Sequence, residues 1–344
     1  MSDAATRVLA DLGWKPVFAR QVTSGEARDG LPVRVLSVHR GRVTVAGADG
    51  EESIPSRMPA AGTADDRPTV GDWLMIDRTT RGVIRILDRT SLFKRPAPGD
   101  DRRVQLIAAN VDTLFIVTSC NADFNVARVE RYLVLAREVG VRPVVVLTKT
   151  DLAADPADFA ASARALQSGL RVHQVDARDA TRTASLADYC GRGETVALVG
   201  SSGVGKSTLV NTLRGSDGIA TQAVREDDGK GRHTTTVREM HRLTGRMGEG
   251  GWLVDTPGMR ELQMSEVAAG VAEVFDDVTD VALACRFSNC GHGDEPGCAI
   301  QAAIGAGTLD PDRFDRWRKL AREDVENSGA AAVRRARPAK GHRR

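Results

Sequence analysis

Long apolar runs are missing from this chain of 344 residues. None approaches the roughly 18 residues that a helix needs to cross a bilayer, and no membrane partner is expected. A signal peptide's apolar centre is missing as well, because the stretch from Met1 to Trp14 carries Asp3 and Asp11. A cytoplasmic location is the resulting expectation. Cysteine is scarce: five residues, an odd number, with three crowded between positions 285 and 298. In a reducing compartment such a cluster reads as metal ligands rather than disulfides. Acidic residues vanish from the C-terminal end, where Ser328 onward holds six Lys or Arg. Against a net charge of +2, those six leave the rest of the chain at −4. Such a tail is either a solvated terminus or an arm for nucleic acid.

What is present falls into blocks, and the length favours two or three domains. Residues 1–30 form an N-terminal arm. Residues 31–95 hold short β-type runs at Val33–Val38, Arg42–Ala46, Ser53–Ile54, Trp73–Asp77 and Gly82–Leu87, separated by Gly and Asp turns. That pattern suits a small β-barrel, either an OB-fold or an SH3-like one. Lys94–Asp101, rich in Pro, Gly and charge, reads as a linker. Residues 104–280 alternate. Apolar runs at Thr113–Thr118, Pro143–Thr148, Val172–Val175, Thr195–Val199 and Trp252–Val254 are mostly separated by helical patterns such as Val126–Val139 and Leu186–Cys190. Alternation of this kind implies a parallel sheet covered on both faces, hence a multidomain α/β chain. Residues 281–325 hold the cysteine cluster and a helical segment, Asp312–Glu323, and residues 326–344 read as a basic disordered tail.

The chemistry begins at Gly200-Ser201-Ser202-Gly203-Val204-Gly205-Lys206-Ser207, which matches G-x-x-x-x-G-K-[ST]. A strand, Val196–Val199, leads in, and Thr208 continues a helix. Glycines are needed because backbone N–H groups must wrap phosphates at a helix N-terminus whose dipole favours anions. Lys206 would reach the β- and γ-phosphates, and the Ser207 hydroxyl would ligate Mg²⁺. Asp255-Thr256-Pro257-Gly258 follows another strand, placing Asp255 to hold the Mg²⁺ shell and the Gly258 N–H to meet the γ-phosphate. Thr148-Lys149-Thr150-Asp151 resembles the N-K-x-D motif of GTPases, with Thr148 in place of Asn. In that motif the Asp carboxylate accepts from guanine N1–H and the 2-amino group, and the Lys stem packs on the ring. Adenine lacks that donor pair and is rejected.

The order of these motifs is unusual. Base recognition at 148–151 precedes the P-loop at 200–207, the reverse of ordinary GTPases, so the domain is circularly permuted. A sheet survives such a cut where the old termini were close. After it comes Cys285-x4-Cys290-x-His292-x5-Cys298, three thiolates and an imidazole that suit one structural Zn²⁺ and leave no open position for catalysis. Cys120 and Cys190 lie inside strand and helix patterns and read as core.

Barrel, permuted GTPase motifs and cysteine block together resemble the bacterial ribosome small-subunit-dependent GTPase A family over about residues 31–325. Gly231-Arg232-His233-Thr234-Thr235-Thr236 is similar to that family's switch I, Cys298 follows a family-like Glu295-Pro296-Gly297, and Gln105 with Ala108–Asp112 resembles the entry to its GTPase domain. Asp176-Ala177 departs from the Ser-Ala pair usual in that family's segment backing the guanine. The resemblance implies an OB-fold for the first block and a C-terminal zinc-binding helical domain. It implies a GTPase that assists late maturation of the small ribosomal subunit, hydrolysing GTP when docked on rRNA and then dissociating; a monomer is expected separately, since nothing in the sequence marks an oligomer. An RNA-binding assembly factor in which GTP only gates binding is the alternative, and a factor for the large subunit a weaker one. Thr234 or Thr235 would close on Mg²⁺. His233 is the candidate for placing the attacking water, because Met259 stands where many GTPases carry Gln; the other reading gives His233 to RNA. In the barrel, Trp73 is the one aromatic before Phe93, so charge at Arg34, Arg40 and Arg42 is expected to matter more for RNA than stacking. Trp73 itself is either a stacking residue or core.

Overall fold

A computed structural model describes residues 3–59, 66–97, 100–215, 238–243, 250–255 and 267–336. Three short helices, α1 (Asp3–Asp11), α2 (Pro16–Ala19) and α3 (Ser24–Asp29), open the chain. The last starts on a reciprocal cap, in which the Thr23 side chain accepts from the Glu26 N–H and the Glu26 carboxylate accepts from the Thr23 N–H. These helices are docked: Leu9, Leu12 and Phe18 are buried, and the Trp252 indole donates to the Asp11 carbonyl at 2.7 Å.

The barrel block follows as β1 (Gly30–His39), β2 (Arg42–Gly47), β3 (Gly50–Pro55), β4 (Trp73–Asp77) and β5 (Val83–Ile86). Strand β1 pairs with β2 and also with β4, shifting register between Val35 and Ser37, so one long strand serves both halves. That sharing, in the order β3-β2-β1-β4-β5, is OB-like. Its interior is Val33, Val35, Val43, Val45, Ile54, Leu74 and Ile76, alternate residues of each strand.

Next come β6 (Leu92–Ala97) and β7 (Asp100–Ala109), an antiparallel ribbon. Of the Lys94–Asp101 stretch expected as a linker, residues 94–97 and 100–101 are therefore strand, and residues 98 and 99 lie outside the described residues. Pro96 thus stands in a two-stranded antiparallel element, where a missing ladder N–H costs less than inside a sheet.

The parallel sheet is built from β8 (Thr113–Ser119), α4 (Val126–Glu138), β9 (Arg142–Thr148), α5 (Pro156–Arg164), β10 (Arg171–Gln174), β11 (Thr195–Val199), α6 (Lys206–Arg214), β12 (Arg238–Arg242) and β13 (Trp252–Asp255). The strand order is β10-β9-β8-β11-β13, all parallel, followed by antiparallel β12. Strand β12 continues onto β1 through Ser37 and Glu239, so barrel and parallel sheet form one continuous surface of hydrogen bonds. Alternation splits the core. Phe115, Val117, Val144 and Val146 pack under Leu209 and Leu213 of α6, while Leu114, Ile116, Val145 and Leu147 pack under Leu133 of α4.

Helices α7 (Ala268–Val274), α8 (Asp276–Leu283), α9 (Ala299–Gly305) and α10 (Pro311–Ala336) complete the chain. Because α10 runs to Ala336, residues 326–336 are helical and not the disordered tail expected there. Among the described residues no helix is long and apolar enough to cross a membrane.

Two expectations in the barrel change. Arg34, expected to meet RNA, is 1% exposed. Its guanidinium donates to the Leu12 and Asn110 carbonyls and to the Thr195 hydroxyl, joining arm, barrel and parallel sheet. Burial lowers its pKa to about 10, with Asp112 and Asp72 acting against that shift. Trp73 is fully buried against Trp14 and Phe18, so it is core.

Candidate nucleotide site and metal centre

Parallel pairing carries the C-terminal ends of β8, β9, β11 and β13 to one edge of the sheet, where doubly wound folds bind ligands. Gly200 leaves β11 at φ +143°, and a Cβ there would lie 2.1 Å from the Val117 carbonyl oxygen. Only glycine lets the chain turn so close to its neighbour strand. Gly205, at φ +92°, is the N-cap of α6, so Lys206, Ser207 and Thr208 form the first turn, whose N–H groups have no intrahelical partner. That turn faces the sheet edge with a positive dipole end, which suits phosphate. The Lys206 ammonium donates to the Gly200 carbonyl at 2.8 Å and to the Ser201 carbonyl, strapping the loop it belongs to.

The 148–151 segment stands beside this loop. Thr148 is fully buried, and its hydroxyl donates to the Val204 carbonyl at 2.6 Å, with the Thr118 carbonyl 3.2 Å away. It is a strut between base motif and P-loop. Lys149 adopts φ +56°, a left-handed conformation that a long side chain takes only where its surroundings impose it. The Thr150 hydroxyl donates to the Val175 carbonyl at 3.3 Å. Asp151 is partly exposed and is paired by Arg178 at 2.6 Å. Asp255 ends β13, with its backbone paired to Glu239. Thr148, Lys149, Asp151, Gly200, Lys206, Ser207 and the Asp255 backbone therefore converge, although 107 residues of numbering separate the first from the last. His233, Thr234, Thr235 and Gly258 lie outside the described residues.

Two arginines at this edge have no place in the motifs. Arg128, in the first turn of α4, donates to the Ser201 hydroxyl of the P-loop. Arg178 lies between Asp151 and Asp176. Each contact spans a long sequence separation, 73 residues for Arg128 and 27 for Arg178–Asp151, so no local pattern marks it.

The cysteine block forms a second centre. One ligand atom each from Cys285, Cys290, His292 and Cys298 lies within 4.8 Å of all the others. His292 Nδ1 is 3.5 Å from Cys285 Sγ and 3.7 Å from Cys298 Sγ, and those two sulfurs are 4.0 Å apart. A tetrahedral ion with Zn–S of about 2.3 Å and Zn–N of about 2.0 Å needs about 3.5 Å for S···N and about 3.8 Å for S···S. The donor set fits. Secondary contacts prepare it: the Ala299 N–H donates to Cys285 Sγ at 3.3 Å, and Glu295 accepts from the N–H groups of Gly291 and Gly293 at 2.8 and 2.6 Å. Cys120 and Cys190 are buried away from this cluster, and desolvation pushes their thiols up to about 11 and about 12.

Residues 86–265 match the RsgA GTPase family. The chain belongs to that family. A Mesorhizobium japonicum protein named small ribosomal subunit biogenesis GTPase RsgA is 49% identical over 328 residues, covering 94% of this chain and 92% of its own. Vibrio parahaemolyticus has a protein named small ribosomal subunit biogenesis GTPase RsgA 2, 46% identical, covering 95% of this chain and 89% of its own. Among solved structures, YjeQ from Thermotoga maritima superimposes with a TM-score of 0.60 at 25% identity, covering 86% of this chain and 98% of its own. YloQ, described as a circularly permuted GTPase, shares the fold with a TM-score of 0.58 at 22% identity, covering 88% and 97%. The chain is a GTPase by its family.

Proposed function

We propose that this chain assists biogenesis of the small ribosomal subunit, binding it with GTP and leaving after hydrolysis. The Thr148–Val204 hydrogen bond carries the nucleotide part of this reading, because it couples the base-reading segment to the phosphate loop across the permuted order. The names of relatives 40–49% identical over nearly the whole chain support the ribosomal part.

In this reading Lys149 packs on guanine and Asp151 accepts from its N1–H and 2-amino group. Residues Gly200 to Thr208 wrap the phosphates, and Lys206 moves from its loop carbonyls to the β- and γ-phosphates. Ser207, Asp255 and Thr234 or Thr235 would hold a Mg²⁺, which would supply charge neutralisation on the phosphates. The Gly258 N–H meets the γ-phosphate, and His233 positions the attacking water. Cys285, Cys290, His292 and Cys298 hold one Zn²⁺ that keeps the C-terminal block folded. Basic residues beyond Ser328, together with Arg40 and Arg42, contact rRNA phosphates. The protein acts as a cytoplasmic monomer.

Sedimentation with each ribosomal subunit, in GDP and in a non-hydrolysable GTP analogue, tests this. Co-sedimentation with the small subunit in the GTP analogue and release in GDP are expected. Preference for the large subunit, or indifference to the nucleotide, would overturn the proposal. In parallel, Asp151→Ala is expected to abolish discrimination against ATP.

A further inference from the structure

The Asp151 carboxylate, on which guanine recognition rests, already has a cationic partner within the chain. Arg178 Nη2 donates to Asp151 Oδ2 at 2.6 Å. The same guanidinium grips Asp176, with Nε to Oδ1 at 3.0 Å and Nη2 to Oδ2 at 3.1 Å, and the Arg178 N–H meets Asp176 Oδ1 at 3.1 Å. These bonds, the side-chain one first, hold the Asp176 carboxyl below its usual range. Arg178 is therefore anchored on Asp176 by a fork and reaches Asp151 with one remaining hydrogen.

Chemistry makes that contact specific. The edge of guanine that an aspartate reads is a pair of parallel N–H donors on an amidine-like carbon, and a guanidinium presents the same donor geometry. Two such groups cannot both have full use of one carboxylate. We propose that Arg178 is an internal competitor for guanine: the entering base displaces Nη2 from Asp151, and the guanidinium falls back on Asp176. This rests on Asp151 being the base reader. Asp176 makes the exchange mild, because the displaced charge keeps a partner. The side chains of Arg178 and Asp151 are 66% and 25% exposed, so the pair is weak enough for a nucleotide to break. GDP and GTP are affected alike, since the base is common to both. Arg178 thereby sets nucleotide affinity below what the pocket's own contacts would give, which favours a short-lived bound state.

Equilibrium titration of the full chain with GDP and GTP, at low and high ionic strength, tests the assignment in Arg178→Gln. Both nucleotides are expected to bind about three- to five-fold tighter at low salt, the change that loss of one exposed ion pair amounts to. The gap should narrow at high salt, as screening weakens the Arg178–Asp151 pair in the unsubstituted chain. Asp151→Asn separates this idea from the base reading. Its carboxamide can donate to the C2 carbonyl of xanthine, so xanthosine diphosphate should bind better than GDP. In that background Arg178→Gln should shift xanthosine diphosphate affinity by less than about twofold, the mark of coupling between the two residues. Equal or weaker GDP binding by Arg178→Gln, with Asp151→Asn still turning to xanthosine diphosphate, overturns the competitor and leaves the base reader standing. No turn to xanthosine diphosphate overturns both.

Discussion

The Thr148 hydroxyl and the Val204 carbonyl, 2.6 Å apart and both buried, tie the segment proposed to read the base to the P-loop. The two segments are 56 residues apart and in reversed order, yet one hydrogen bond makes them a unit. Thr148→Val keeps the shape and leaves the Val204 carbonyl without its donor, costing about 1–3 kcal/mol. GDP affinity should fall about tenfold and the thermal midpoint should drop. Thr148→Asn restores a donor and should recover most of the loss. Unchanged GDP titrations for the Val variant would show that the strut is unnecessary.

Helix α4 links the P-loop to the C-terminal block. Its Arg128 touches Ser201, and two residues on, Glu130 is fully buried and accepts from Arg313 at 2.8 Å and Arg316 at 2.8 Å. Burial raises the Glu130 pKa, with the two arginines opposing that shift. Glu130→Ala takes from Arg316 its carboxylate, while Arg313 keeps Asp277 and the Leu166 and Val274 carbonyls, so the loss should lie at the lower end of the about 3–5 kcal/mol that breaking a buried pair from one side costs. Urea unfolding should show a loss of that order, with α10 becoming sensitive to protease before the sheet does. A loss below about 1 kcal/mol would mean that α10 is held without Glu130, by its apolar contacts and by polar ties such as Arg131–Glu323 and Arg313–Asp277.

Metal analysis of protein purified without chelators should find about one zinc per chain. The ligand geometry argues for it, as does His292 at φ +58°, a conformation that ligation would stabilise. Chelation should unfold α9 and weaken ribosome binding, while GDP titrations stay within about twofold of the untreated protein. Zinc-free protein with an intact C-terminal block would defeat the assignment.

How far the sequence reaches depends on where each element's partners lie. The central parallel strands were legible because both faces are covered; Thr113–Ser119 is buried at every position and reads as a continuous apolar run. Strand β12 went unread, since Arg238-Glu239-Met240-His241-Arg242 buries only Met240 and is strand only through β13 and β1. The ribbon at Leu92–Ala109 was hidden by its Pro and charges for the same reason. Arg34 looked like a surface cation because its partners, Leu12, Asn110 and Thr195, lie 22, 76 and 161 residues away. The P-loop and cysteine residues were legible because their chemistry is local: close phosphate approach needs glycine at fixed steps, and a tetrahedral ion needs four donors within one loop. Arg178 was not: the resemblance set Asp176-Ala177 beside the base, but no local pattern announces that the next residue reaches Asp151, 27 positions away.

The last prediction concerns turnover. Met259 follows the D-x-P-G segment at the position where many GTPases hold a water-orienting Gln, and a thioether cannot accept that task. In the proposed reading Lys206 and a phosphate-bound cation would still stabilise charge, so slow hydrolysis should persist in the protein alone. A fast reaction needs another polar group beside the γ-phosphate. His233 stands between Arg232 and Thr234, so a contact that seats Arg232 on an rRNA phosphate and Thr234 or Thr235 on Mg²⁺ would fix the imidazole between them. Small subunits should therefore raise kcat strongly. His233→Ala should lower the stimulated rate on the order of a hundredfold, with GTP and subunit affinity within about twofold of the unsubstituted chain. Basal hydrolysis without subunits should barely change, which separates a water-positioning role from general damage to the site. If His233→Ala is stimulated as fully as the unsubstituted chain, the water is positioned by the ribosome or by backbone groups instead.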